Sequence, residues 1–246
     1  MAKLMTLSLD PNTHRPSSPP GDSWQNWLEV AQAHLHAGLP PEQFFYLAPE
    51  DQAARSHDEL ALDYTTTPAR QPLNAHYEIP LAFRELGVKA AAHRNPHRWS
   101  ALYHVLWRLT HGESRLLERK LDHDVHELHE MVRAVEADLR RLLTRTLWHD
   151  DGSEHGLLLA WAEPEHYTLP LAAPKLVRRL GDREWSLLSR DGCAHWIDHR
   201  LMHTAGIERE FPPSEAELPL LWQEHCATEV SREMPHLRLT PTPSGF

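Results

Sequence analysis

Leu121, Val125, Leu128, Met131, Val132, Val135, Leu139 and Leu142 follow one another mostly in steps of three and four. That is the period of a helix with one buried face, and it predicts a long helix over about 121–143. Upstream, Trp24, Trp27, Leu28, Ala31 and Leu35 share a face of a helix capped by Asp22 or Ser23 and ended by Gly38, ahead of Pro40-Pro41. Leu81, Phe83, Leu86, Val88 and Ala92 keep an approximate helical face from near Pro80. After Asn95-Pro96 another helix carries Trp99, Leu102, Tyr103, Leu106, Trp107 and Leu109, and Gly112 ends it. Phe44 to Leu47 is an aromatic run of strand character, and residues 48–78 read as a polar loop.

The pattern changes at Asp150-Asp151-Gly152, a turn signal. Leu157 to Ala162 predicts a strand, and Leu169 to Leu180 a short helix closed by Gly181. Glu184 to Ser189 and Cys193 to Asp198 predict a hairpin around Asp191-Gly192. A last helix is expected over Glu217 to Val230. The order strand, helix, strand, strand favours a small antiparallel sheet, so the expected fold class is α+β, a mainly helical N-terminal half packed on that sheet. Residues 1–21, rich in Pro, Ser and Asn, read as a disordered leader. Residues 22–235 are expected to form a single domain, and 236–246 a flexible tail.

At 246 residues the chain is long enough to bury a substantial core. Its longest apolar runs, such as Gly156 to Ala162, fall far short of the roughly 20 residues of a membrane span. The N-terminus has no apolar core of a secretory signal. With only two cysteines, Cys193 and Cys226, no disulfide scaffold or paired zinc spacing is expected, and a reducing cytoplasm is the simplest home. Net charge is −10, unlike a dedicated duplex binder, but unevenly spread. It is −6 over residues 1–83, +3 over 84–145, −3 over 146–205 and −4 from 206 onwards, so any nucleic-acid contact is expected in the middle segment. The 20 histidines add positive charge as pH falls towards 6.

Two groups of residues offer a binding surface. Arg178, Arg179 and Arg183 occur near Trp161, His166, Trp185, His195 and Trp196, a combination that can hold phosphate and stack on unpaired bases. The competing reading makes the tryptophans core and the arginines a helix C-terminal flank. Arg133, Arg140, Arg141 and Arg145 form the second group, either phosphate contacts or an exposed helix face laced with Glu130, Glu136 and Asp138. His123, His126 and His129 have helical ligand spacing, but their order is not the HExxH of zinc proteases and no metal is expected. Glu163, His166 and His195 are the candidates for acid–base catalysis. No G-x-S-x-G, Walker loop or Rossmann glycine pattern occurs, so intrinsic activity is not the favoured reading and no cofactor is expected.

The stretch HRWSALYHVLWRLTHGES resembles the core of a bacterial domain of unknown function identified as a probable DNA-metabolism or DNA-repair protein. Asp122, Asp124-Val125, Met131, Ala134, Val135 and Asp138 resemble its long helix. Trp161 with Glu163-Pro164 and His166 resemble a W-x-E-P-x-H strand end. Ala173-Pro174, Arg178-Arg179, Trp185-Ser186 and Ala194-His195-Trp196 continue the likeness, which covers about residues 22–235. The family's H-K-M pattern and F-V-R-F-R strand are replaced by Arg140 to Trp148, and its asparagine-proline region is shortened around Ala227 to Pro235. In that family the domain precedes a uracil-DNA-glycosylase-like domain or is encoded beside a radical-SAM protein. The resemblance implies an accessory DNA-repair module that assists such an enzyme by binding that partner, DNA or both; single-stranded or damaged DNA is the ligand that the arginine and tryptophan group would suit. The alternatives are a nucleic-acid-processing enzyme using Glu163, His166 and His195, and a degenerate regulatory paralogue.

Overall fold

The computed structural model describes residues 23–43, 77–152 and 156–233. Among these residues seven α-helices and five strands form an α+β fold. The N-terminal half contains α1 (Ser23–His36), α2 (Leu81–Ala91), α3 (Arg98–Thr110) and α4 (His123–Arg145). There follow β1 (His149–Asp150), β2 (Leu158–Trp161), α5 (Leu169–Leu180), β3 (Trp185–Leu188), β4 (Cys193–Ile197), β5 (Arg200–Thr204), α6 (Leu218–His225) and α7 (Ala227–Glu233). The expected strand at Phe44 to Leu47, the leader, the tail and the loop over 48–76 lie outside the described residues.

The first four helices bury a common core. Trp27 stacks on Trp24 and Trp99 at ring separations of 5.1 and 5.9 Å, with Phe83, Leu102, Leu106, Val125 and Leu128 around them. Gly87 on α2 lies against the indole of Trp24, and a Cβ there would overlap the ring. Asp122 caps α4 by accepting from the amides of Asp124 and Val125 at 3.1 and 3.4 Å. Arg108 fixes that corner with hydrogen bonds of 2.7–2.8 Å to Asp122, Asp124 and Glu113.

The strands are ordered β1-β2-β3-β4-β5. Three pairings are antiparallel, but β2 and β3 run parallel. The sheet is therefore mixed rather than antiparallel. The chain leaves β2 through α5, and a helical crossover returns it in the same direction. One face, with Leu158, Ala160, Trp185, Leu187 and Ala194, packs on α5 and on Leu139 and Leu142 of α4. The other, with Leu157, Leu159, Leu188, Cys193 and Ile197, packs on α6 and α7. β5 was not expected from the sequence. It follows a two-residue turn, Asp198-His199, whose positive φ values of 48° and 58° match the twist of a hairpin. The expected last helix is divided at Cys226 into α6 and α7. No helix among the described residues is long and apolar enough to cross a membrane.

Candidate functional site

Where α4 ends against the segment leaving β2, the surface opens into a cleft of ≈ 290 Å³. Helical spacing supplies one wall: Asp138, Arg141, Leu142 and Arg145 lie on one stripe of α4, with Thr146 beyond. Trp161, Ala162 and Glu163-Pro164-Glu165 form the other wall.

Asp138 organises the cleft. Sequence reading put it on an exposed charged face, but it is 3% exposed because it belongs to the buried stripe that includes Val135, Leu139 and Leu142. Its carboxylate accepts hydrogen bonds from the amides of Glu165 and His166 at 3.2 and 3.1 Å and from the Thr168 hydroxyl at 3.0 Å. Arg141 adds a fourth at 3.2 Å. A buried carboxylate is tolerated when its oxygens are fully used in this way.

Other elements secure the same loop. Arg94, in the turn between α2 and α3, donates from Nε to the Glu165 carbonyl at 2.9 Å and pairs with Asp191 of the β3–β4 turn. The Tyr167 amide donates to the Ala92 carbonyl at 2.8 Å, and the His93 and His166 rings stack at 4.3 Å. Burial, followed by the charges of His166 and Arg98, lowers His93 to about 4. His166 is lowered as well, chiefly by burial.

The arginines differ in how far they are committed. Arg141 pairs with Glu165 at 2.7 Å, which raises the guanidinium and lowers the carboxyl. Just beyond the cleft lining, Arg190 pairs with Glu163 at 2.9 Å. Arg140 and Arg145 are exposed and have no carboxylate partner among the described residues. Arg133 pairs with Glu130. Arg178 donates to the Pro174 carbonyl at 3.3 Å, Arg179 to the Leu143 carbonyl, and Arg183 lies 3.5 Å from Asp150. These last three sit on or after α5, and only Arg141 and Arg145 of the named arginines line the cleft.

The aromatic residues divide similarly. Trp161 lines the cleft half-buried, its indole N–H shielded from solvent and without a hydrogen-bond partner among the described residues. Trp185 is fully buried beneath Trp148, so it offers no stacking face, and Trp196 is half-buried against the α5 side of the sheet. His195 is also enclosed, its ring nitrogens 2.9 Å from the Ser186 and Thr204 hydroxyls. Burial lowers it to about 3, keeping it neutral. Of the acid–base candidates Glu163 alone lines the cleft; His166 packs beneath the loop and His195 bridges strands. His126 meets Glu130 at 3.4 Å, and no group of three or more metal-ligating side chains converges among the described residues.

Arg94, Asp138, Asp191 and Arg190 were not singled out as site residues from the sequence. Only Asp138 carried a signal, an acidic residue at a core position of an otherwise apolar stripe.

The cleft and the elements from α3 onwards fall within a stretch that a family model matches, residues 96–243. The chain belongs to DUF4130, a domain of unknown function. No curated protein and no solved structure matches it. The DUF4130 match takes in α3 to α7 and the whole cleft, and it leaves α1 and α2 outside.

Proposed function

We propose that this chain is an accessory module in DNA metabolism that holds a short stretch of single-stranded or damaged DNA in its cleft and acts with a separate repair enzyme, a uracil-DNA-glycosylase-like or radical-SAM protein. The observation that carries the DNA half is the pairing of Arg141 and Arg145, one helical turn apart, with Trp161 across the same cleft. Guanidinium groups grip phosphate, and an indole next to them supplies a face for an unpaired base. The acidic remainder of the molecule restricts the footprint to one or two phosphates, so affinity is modest and single strands are favoured over long duplex contacts. That acidic surface also suits a protein partner with a basic face. The family resemblance supports the setting.

The test is fluorescence anisotropy with short labelled single-stranded and duplex oligonucleotides across a salt series. Single strands should bind at low salt with a log–log salt slope of about −0.7 to −1.4, the value for one or two phosphates. Arg145→Ala should lower the slope by about 0.7. No binding of any oligonucleotide at low salt would remove the DNA half of the proposal. Co-purification with the candidate repair enzymes tests the other half.

A further inference from the structure

Arg141 shares its Nη2 between two carboxylates that are held very differently. Asp138 is buried, and its oxygens also serve two amides and the Thr168 hydroxyl. Glu165 has a side chain 65% exposed, and its carboxylate bonds only to Arg141 among the described residues. Its backbone is fixed at both ends, the amide on Asp138 and the carbonyl on Arg94 Nε. The carboxylate can therefore swing into solvent with no movement of the main chain.

We propose that the Glu165 carboxylate is a built-in stand-in for a phosphate of single-stranded nucleic acid, displaced when that phosphate seats between Arg141 and Arg145. This rests on the DNA-binding reading above. A carboxylate and a phosphodiester present similar paired oxygens to a guanidinium, so one can replace the other on Arg141. What must be broken is an exposed ion pair, which solvent screens and which therefore holds the carboxylate only weakly. What is gained includes Arg145, one turn further along the same wall and unpaired by carboxylate among the described residues. Asp138 stays behind and keeps Arg141 aimed into the cleft. The exchange makes the cleft selective for anionic ligands, because a neutral molecule cannot free Arg141.

The experiment measures anisotropy of a short labelled oligothymidylate with the full chain carrying Glu165→Gln, Arg141→Ala, both changes, or Glu136→Gln. Glu136 is an exposed glutamate of α4 paired with Lys89 outside the cleft, so it reports the effect of removing one negative charge. Glu165→Gln should tighten binding about two- to fivefold. Glu136→Gln should tighten it less, and Glu165→Gln should have no such effect once Arg141 is alanine. If wild type binds but Glu165→Gln gives no more than Glu136→Gln, the exchange is overturned while the DNA-binding reading stands. If neither wild type nor Glu165→Gln binds, both fall. Binding seen only after Glu165→Gln would overturn the exchange, because the carboxylate would then block the cleft rather than yield to phosphate.

Discussion

The buried carboxylate of Asp138 and the hydroxyl of Thr168 are 3.0 Å apart although thirty positions separate them in the chain. This bond joins the middle of α4 to the start of α5, and the cleft wall between them is strung from it. Asp138→Ala leaves two amides and a hydroxyl without their acceptor. The expected loss is about 2–4 kcal/mol, read from urea unfolding. Asp138→Asn should also destabilise, since its amide turns a donor towards donors. A loss below about 1 kcal/mol for the alanine variant would show that solvent replaces the carboxylate without difficulty.

His195 predicts an acid sensitivity. Its folded-state value of about 3 lies below the ordinary 6.5, because burial disfavours the charged ring. The unfolded chain therefore takes up the proton first as pH falls. The stabilisation is complete above about pH 6.5 and is lost progressively as pH drops towards the folded value. Between pH 7 and pH 5 this residue alone accounts for about 2 kcal/mol. His93 acts in the same direction. His195→Gln, which keeps hydrogen-bonding groups near Ser186 and Thr204, should flatten the pH dependence of unfolding by about that amount. An unchanged slope would mean that the ring is protonated inside the fold.

Gly87 sets how closely α1 approaches α2. Alanine there gains about 1 kcal/mol of helix propensity. It also places a methyl group within the indole of Trp24, whose ring is already stacked on Trp27 at 5.1 Å. Overpacking of this kind costs about 1–3 kcal/mol, so Gly87→Ala should destabilise on balance and alter the near-ultraviolet circular dichroism of the tryptophans. Increased stability would show that Trp24 moves aside freely.

Local signals were legible where one element decides its own limits. The apolar stripe predicts α4, and Gly181, with φ of 64°, closes α5 where the sequence places its end. Non-local relationships were less legible. The parallel pairing of β2 with β3 depends on how α5 packs back onto the sheet. β5 reads Arg-Leu-Met-His-Thr behind an Asp-His turn, so neither its hydrophobicity nor its turn residues announce it. The cleft was half visible. Trp161, Arg141 and Arg145 were named as binding candidates, whereas the link between them runs through Asp138, whose burial requires a loop that arrives from beyond the helix. Trp185 and His195, named with them, were drawn inside by the sheet.

The span of α4 bears on how the protein can be divided. Its first turns sit among the tryptophans of α1 and α3, and its last turns lie under the sheet. Trimming the chain to the family boundary at residue 96 would strip away Trp24, Trp27 and Phe83 and leave Trp99, Leu102 and Val125 facing water. A fragment beginning there should be sticky and poorly behaved, while one that retains α1 should purify as a monodisperse species. That outcome would make the matched segment shorter than the smallest piece of polypeptide able to stand alone.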